Sequence, residues 1–167
     1  MRVIDGMTFP NESAAYRQAR NELLMAEAQL RDQVEAVAAL RRQLPLGGLV
    51  GDYEFVNAEG ITTLSQQFQR HTTLIAYSFM YGANDAEPCP MCSSFVDALL
   101  SQLAQLQQRA DVVVIARSPY ERIAKMTADR GWQGLNWLSA AHNRLASAYH
   151  SEDGHGGQRP MCHVCVR

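Results

Sequence analysis

One stretch constrains this chain more than any other: Cys89-Pro90-Met91-Cys92, preceded by the apolar run Thr73 to Met80 and followed by the helical run Ser93 to Arg109. A β-branched and aromatic run, a short loop and two cysteines opening a helix form a thiol site, because unpaired N–H groups at a helix N-terminus stabilise a thiolate. Pro90 fits the first helical position, where its missing N–H costs nothing, and that leaves Cys89 as the N-cap. Cys92 lies one turn on, within reach to close a disulfide. The opposing view, that the two cysteines are small apolar fillers, remains open at this point.

The flanking elements extend the pattern. Thr73 to Met80 reads as a strand buried on both faces, Gly82 to Pro88 as the loop delivering the cysteines, and Pro90 to Ala110 as a helix with Val96, Leu99, Leu100, Leu103 and Leu106 on one face. Asp111 to Ala116 is a second buried strand, so the run is a βαβ unit with a right-handed crossover. Ser118-Pro119-Tyr120-Glu121 reads as a capping box with proline at the first helical position, opening a helix that runs to about Arg130. Leu135 to Ser139 is expected as a third strand, Asn143 to Tyr149 as a short helix, Ser151 to Gln158 as a mobile glycine-rich loop, and Met161 to Arg167 as a last strand opened by Pro160. Upstream, Val50 to Asn57 and Ile61 to Leu64 read as a β-hairpin, followed by a short helix, Gln66 to Gln69, capped by Ser65.

Asn11 to Gln43 holds neither proline nor glycine and reads as one long helix. Tyr16, Leu23, Leu30, Val37 and Leu44 recur every seven residues, with Ala19, Ala26 and Leu40 three further on. Six acidic and six basic residues over positions 1–48 fit a solvated outer face. The seam packs either on its own domain or against a second copy of the chain, and the expectation carried forward is a homodimer through this helix. The domain division expected is a helical arm at 1–48 and an α/β domain at 49–167.

A net charge of −2 leaves no basic footprint for nucleic acid or an anionic membrane, and no apolar run approaches spanning length. The first 13 residues contain Asp5 and Glu12 and no apolar core, so no secretory signal is expected and the cytoplasm is the expected location. Four cysteines in two Cys-x-x-Cys pairs then point to redox or metal chemistry rather than structural disulfides. A zinc site is disfavoured, because about 70 residues separate Cys92 from Cys162 and because a strand at Met161 to Arg167 turns Cys162 and Cys165 to opposite faces. No metal and no cofactor are expected. The five histidines show no spacing that organises a site.

Asp52-Tyr53-Glu54-Phe55, Ser78-Phe79-Met80-Tyr81-Gly82, Cys89 to Phe95, Ala116-Arg117-Ser118-Pro119 and Gly131-Trp132 together resemble a bacterial family known only as domain of unknown function 899, within the peroxiredoxin branch of thioredoxin-like folds. The resemblance covers Tyr16 to the end and implies a thioredoxin-like three-layer α/β sandwich, here with a long N-terminal helical arm and without the strand and helix that close such sheets. It implies no assigned reaction. Similarity to glutaredoxins would make Cys89 the nucleophile and Cys92 the resolving thiol. Similarity to peroxiredoxins, whose motif is Thr-x-x-Cys, would put the reactive thiol at Cys92, although this chain has Cys89 in place of the threonine and Asp85 in place of the motif proline. Both relatives carry a cis-proline beside the active cysteine, and Pro160 is the matching position, so Pro160 and Pro90 are the expected substrate-groove residues. The leading expectation is a thiol–disulfide oxidoreductase acting on an unidentified dithiol or disulfide partner. The alternatives are a non-catalytic scaffold or redox-sensing interaction module, and a peroxide reductase.

Overall fold

The computed structural model describes residues 8–167. The chain separates into two compact units, the first ending at Leu49 and the second spanning Val50–Arg167. Among its described residues the first holds one helix, α1 (Ala14–Arg42), whose N-cap Ser13 accepts a hydrogen bond from the Tyr16 N–H. Glu12 and Arg17 pair across that first turn, and Arg20 reaches Glu27 at 3.2 Å. No residue of α1 is buried, and Tyr16, Leu23, Leu30 and Leu40 of the heptad seam are exposed.

The second unit is a mixed α/β fold. In chain order it contains β1 (Glu54–Asn57), β2 (Gly60–Thr63), a 3-10 turn (Ser65–Gln67), β3 (Thr73–Phe79), α2 (Pro90–Leu106), β4 (Asp111–Ala116), α3 (Tyr120–Asp129), β5 (Asn136–Ser139), α4 (Leu145–Ala148) and β6 (Met161–Val166). Six strands form one sheet in the order β2-β1-β5-β4-β3-β6. The central strands β3, β4 and β5 run parallel, as the helical crossovers require, while β6 and β1 pair antiparallel on either side.

Alternation along the central strands sorts the core into two layers. Tyr77, Phe79, Val114, Ala116 and Trp137 face α2 and α3, meeting Cys92, Val96, Ile123, Met126 and Trp132. Leu74, Ala76, Val113, Ile115 and Leu138 face the other way, onto Phe55, Leu64, Phe68 and Leu145. Trp132 and Trp137 stack with centroids 5.6 Å apart, and the Trp132 indole N–H donates to Asp97 at 2.7 Å. Asp97 is in α2, so this bond fixes the helix that begins at the cysteines over the sheet. Among the described residues, no helix is long and apolar enough to cross a membrane.

Three expectations need correction, concerning the Ser118 cap, the Ser65 cap and the Arg159-Pro160 bond. Ser118 does not cap α3: the helix starts one residue later than expected, at Tyr120, so Pro119 takes the N-cap position and no side chain makes a capping bond, while the buried Ser118 hydroxyl donates to the Gly82 carbonyl at 2.8 Å. Ser65 lies inside a 3-10 turn with Leu64 at the cap position rather than capping an α-helix, and its N–H and hydroxyl both donate to the Asp52 carboxylate. The glycine-rich segment is a loop, as expected, and within it the Asp153 carboxylate accepts from the His155 and Gly157 N–H groups while the Arg159 N–H donates to the Ser151 carbonyl at 2.8 Å. The described residues contain no cis peptide bond, so Arg159-Pro160 is trans.

Candidate active site

The Cys89-Pro90-Met91-Cys92 turn sits at the C-terminal end of β3. The Cys89 N–H donates to the Met80 carbonyl at 3.0 Å, and the Cys89 carbonyl accepts from both the N–H and the hydroxyl of Ser93, at 2.9 and 3.0 Å. Cys89 is the N-cap of α2 with Pro90 in the first turn. Its sulfur faces the backbone N–H groups of Cys92 and Met91, which hold the thiol below its usual range against the opposing effect of partial burial.

Cys92 is different in kind. It is 2% exposed, and burial pushes its thiol up, with a further rise from the neighbouring Cys89. Two groups act in the opposite direction, the Tyr77 hydroxyl and the Met80 backbone. Tyr77 is itself buried, its ring tilted against Phe95 at 4.5 Å, and its own titration is driven up by burial and by the adjoining thiols. The two sulfurs of one turn are therefore set apart: one exposed to donors and acidic, one enclosed and held protonated. All four cysteines are free thiols.

Residues far away in sequence hold the loop that delivers the cysteines. The Arg122 guanidinium donates to the carbonyls of Gly82, Ala83 and Asp85, and stacks over the Tyr81 ring at 4.7 Å. The Asp85 carboxylate accepts from the Gly82 N–H at 2.6 Å and from the Gln158 amide at 2.7 Å, and these two donors hold its pKa below the carboxylate range. With Ser118 on the Gly82 carbonyl, the loop is tied to α3, to the end of β4 and to the segment before β6. Gly82 lets these side chains approach closely: a Cβ there would stand 2.9 Å from the Gln158 amide nitrogen and 3.1 Å from Asp85, so both would have to shift. A cavity of about 270 Å³ opens beside this loop, and Tyr81, Glu87, Pro88, Arg122 and Lys125 are among the residues lining it.

Pro160 immediately precedes Met161, which pairs with Ser78, so it stands at the same end of the sheet as Cys89. It is exposed. Cys162 and Cys165 stand opposite Tyr77 and Leu74 respectively, on opposite faces of the sheet, as strand alternation demands. Among the described residues, no cluster of three histidine, cysteine or acidic side chains is arranged to hold a metal. Sequence reasoning missed Tyr77, Arg122, Asp85 and Gln158 as parts of the site. Asp85 alone carried a signal, as a carboxylate where a peroxiredoxin-like chain would have proline.

The model of a family described as "Bacterial protein of unknown function (DUF899)" matches residues 7–161. The chain belongs to this family. Structures similar to this DUF899 protein include peroxidoxin BcpB from Mycobacterium tuberculosis, with 21% identity, a TM-score of 0.54, and coverage of 71% of this chain and 74% of that one. A mutant of PrxQ from Xylella fastidiosa aligns with 16% identity and a TM-score of 0.56 over 73% and 79% of the two chains. A peroxiredoxin Q mutant from Xanthomonas campestris does so with 18% identity and a TM-score of 0.53 over 74% and 80%. At such identities the likeness establishes the thioredoxin-like fold of the peroxiredoxin type. Comparison with curated proteins found no match.

Proposed function

We propose that this DUF899 protein is a thiol–disulfide oxidoreductase in which Cys89 attacks and Cys92 resolves. The observation that carries the reading is the contrast within one helical turn: the Cys89 sulfur faces the N–H groups of Cys92 and Met91 and is acidified, while Cys92 is enclosed. The Cys89 thiolate attacks one sulfur of a substrate disulfide, forming a mixed disulfide and releasing the other half as thiolate. Cys92 then loses its proton and attacks the Cys89 sulfur, closing the Cys89–Cys92 disulfide and releasing the second half. The substrate disulfide is reduced by two electrons and the dithiol is oxidised by two. An external dithiol restores the pair.

The first step makes the second easier. One cause holding Cys92 up is the neighbouring Cys89 sulfur, and that sulfur loses its charge once it enters a mixed disulfide. The Tyr77 hydroxyl then remains to favour the Cys92 thiolate. Pro160 and Pro90 border the exchange on the strand and helix sides and serve as the groove against which a substrate chain lies.

The names of the structural relatives raise a peroxide-reducing alternative. On a peroxiredoxin-like alignment the attacking thiol is Cys92, and its burial and raised pKa argue against that role. Reduction of insulin disulfides and of hydrogen peroxide by wild type, Cys89→Ser and Cys92→Ser tests the reading. Disulfide turnover that is abolished in Cys89→Ser supports it. Peroxide turnover that survives in Cys89→Ser and is lost in Cys92→Ser overturns it in favour of a peroxidase, and no turnover of either substrate leaves the scaffold or redox-sensor alternative. The same proposal includes pairing of two chains through the exposed heptad seam of α1. Leu30→Glu is expected to halve the mass in solution, measured by light scattering, and an unchanged mass rejects that pairing.

A further inference from the structure

Cys162 is the one thiol of the second pair that faces the redox turn. It stands directly opposite Tyr77 in the antiparallel β3–β6 ladder, and cross-strand neighbours of this kind have Cβ atoms about 4.5–5.5 Å apart on the same face. That face is the one on which Tyr77 packs with Cys92 under α2. The Tyr77 hydroxyl lies beside the Cys92 thiol and within the electrostatic reach of Cys89 and Cys162. One buried tyrosine thus borders Cys92 beneath α2 and Cys162 across the ladder. Cys165, three residues on, packs in the opposite layer and has no part in this cluster.

We propose that Cys162 is a third redox thiol of the site, which accepts the disulfide from the Cys89–Cys92 pair and carries it to the exposed sheet edge. This rests on the oxidoreductase reading, because the Cys89–Cys92 disulfide must form first. The Cys162 thiolate attacks the Cys92 sulfur, the Cys92–Cys162 bond forms, the Cys89–Cys92 bond breaks, and Cys89 leaves as thiolate. No electrons enter or leave the protein in this exchange, and the proton lost by Cys162 passes to solvent. The direction follows from leaving-group chemistry. Of the two sulfurs in the first disulfide, Cys89 is the more acidic and so departs more readily. Its release restores the attacking thiolate while the oxidised bond moves to Cys162, which is exposed where Cys92 is enclosed. An external dithiol then reduces the Cys92–Cys162 bond by attack at Cys162.

Trypsin separates the participants, since residues 71–109 and 145–167 each form one peptide, the Arg159-Pro160 bond being resistant. The reduced protein is treated with one equivalent of 4,4′-dithiodipyridine, acid-quenched, blocked with N-ethylmaleimide, digested and sequenced by mass spectrometry. The expected product is a disulfide between the two peptides, with the maleimide on Cys89 and Cys165. It is retained in Cys165→Ser and lost in Cys162→Ser and Cys92→Ser. A wild-type product holding only the Cys89–Cys92 disulfide overturns the relay and leaves the oxidoreductase reading standing. A cross-link that persists in Cys92→Ser also overturns it, by showing direct Cys89–Cys162 pairing. Absence of any disulfide overturns both. The maleimide position in the wild-type protein decides the matter without depending on how any variant folds.

Discussion

The two Cys-x-x-Cys pairs have the same spacing and opposite physical fates. At the start of α2 a rise of one turn brings Cys89 and Cys92 to one side of the helix, next to unpaired N–H groups that stabilise a negative sulfur. On β6 the same three-residue separation places Cys162 and Cys165 on opposite faces, where the nearby protein removes water and pushes both thiols up. Cys162 is raised in this way even though the residue as a whole is exposed. Spacing alone therefore says little about cysteine chemistry. The period of the element that carries the pair decides whether two sulfurs can meet, and the polarity of the element's end decides whether one of them is a thiolate.

Cys89→Ser offers the sharpest break of this comparison. It is expected to remove the rapidly alkylated thiol and reduce disulfide turnover to background, whereas Cys165→Ser leaves both intact. Peptide-resolved iodoacetamide labelling across pH measures it. In wild type the Cys89 rate should reach half its maximum below the ordinary thiol value of about 8.5, and Cys162 and Cys165 above it. Reactivity of Cys89 is lost as pH falls through its depressed pKa. A common midpoint for all of the thiols would erase the distinction between the pairs.

Next in size is Arg122→Ala. The guanidinium bonds to three carbonyls of the loop leading to Cys89, and no second cation reaches those carbonyls among the described hydrogen bonds. Its loss is expected to cost about 1–3 kcal/mol in urea unfolding. The Cys89 labelling midpoint should also rise toward the ordinary value, because a loosened loop no longer holds the sulfur over the helix N-terminus. Stability that falls with an unmoved midpoint would make Arg122 a structural clamp alone.

How much of this could be read from the sequence depended on how local the cause was. The strands Asp111–Ala116 and Thr73–Phe79 are legible to within a residue, because an apolar β-branched run between polar turns is its own signal. The N-cap position of Cys89 followed from Pro90. The opposing faces of Cys162 and Cys165 followed from strand period alone. What escaped was the bracing of the loop, whose bonds join residues 36 to 73 positions apart. Ser118 shows why: serine followed three residues later by glutamate is a capping signal, yet Pro119 takes the cap position and the serine hydroxyl donates to the Gly82 carbonyl, a partner that only the tertiary fold supplies. The hydroxyl of Tyr77 was invisible for the same reason, since an aromatic residue in a buried strand normally signals packing.

Tyr77→Phe probes the link between the two pairs with a smaller expected effect. It keeps the ring that packs on Phe95 and deletes the hydroxyl beside Cys92. That hydroxyl lowers the Cys92 pKa, so removing it should raise the midpoint further and slow closure of the Cys89–Cys92 disulfide. About one pKa unit of change corresponds to a tenfold loss of thiolate at fixed pH. Stopped-flow release of thiopyridone separates the two steps, with the first unaffected and the second slowed. A first step slowed equally would place the hydroxyl's influence on Cys89 instead.

The smallest effect belongs to Cys165→Ser, and it is the control on which the comparison depends. Cys165 pairs with Leu74 and packs against the layer of Phe55, Leu64 and Leu138, on the face opposite Tyr77 and Cys92. The substitution puts a hydroxyl into a half-buried apolar setting, at a cost of about 1 kcal/mol in thermal or urea unfolding. Disulfide turnover, the Cys89 labelling midpoint and the thiopyridone release rates should all match wild type. A redox defect in this variant, with stability preserved, would mean that the second pair works as a unit across the sheet. The strand's two-residue period would then no longer explain why one cysteine of that pair meets the site and the other does not.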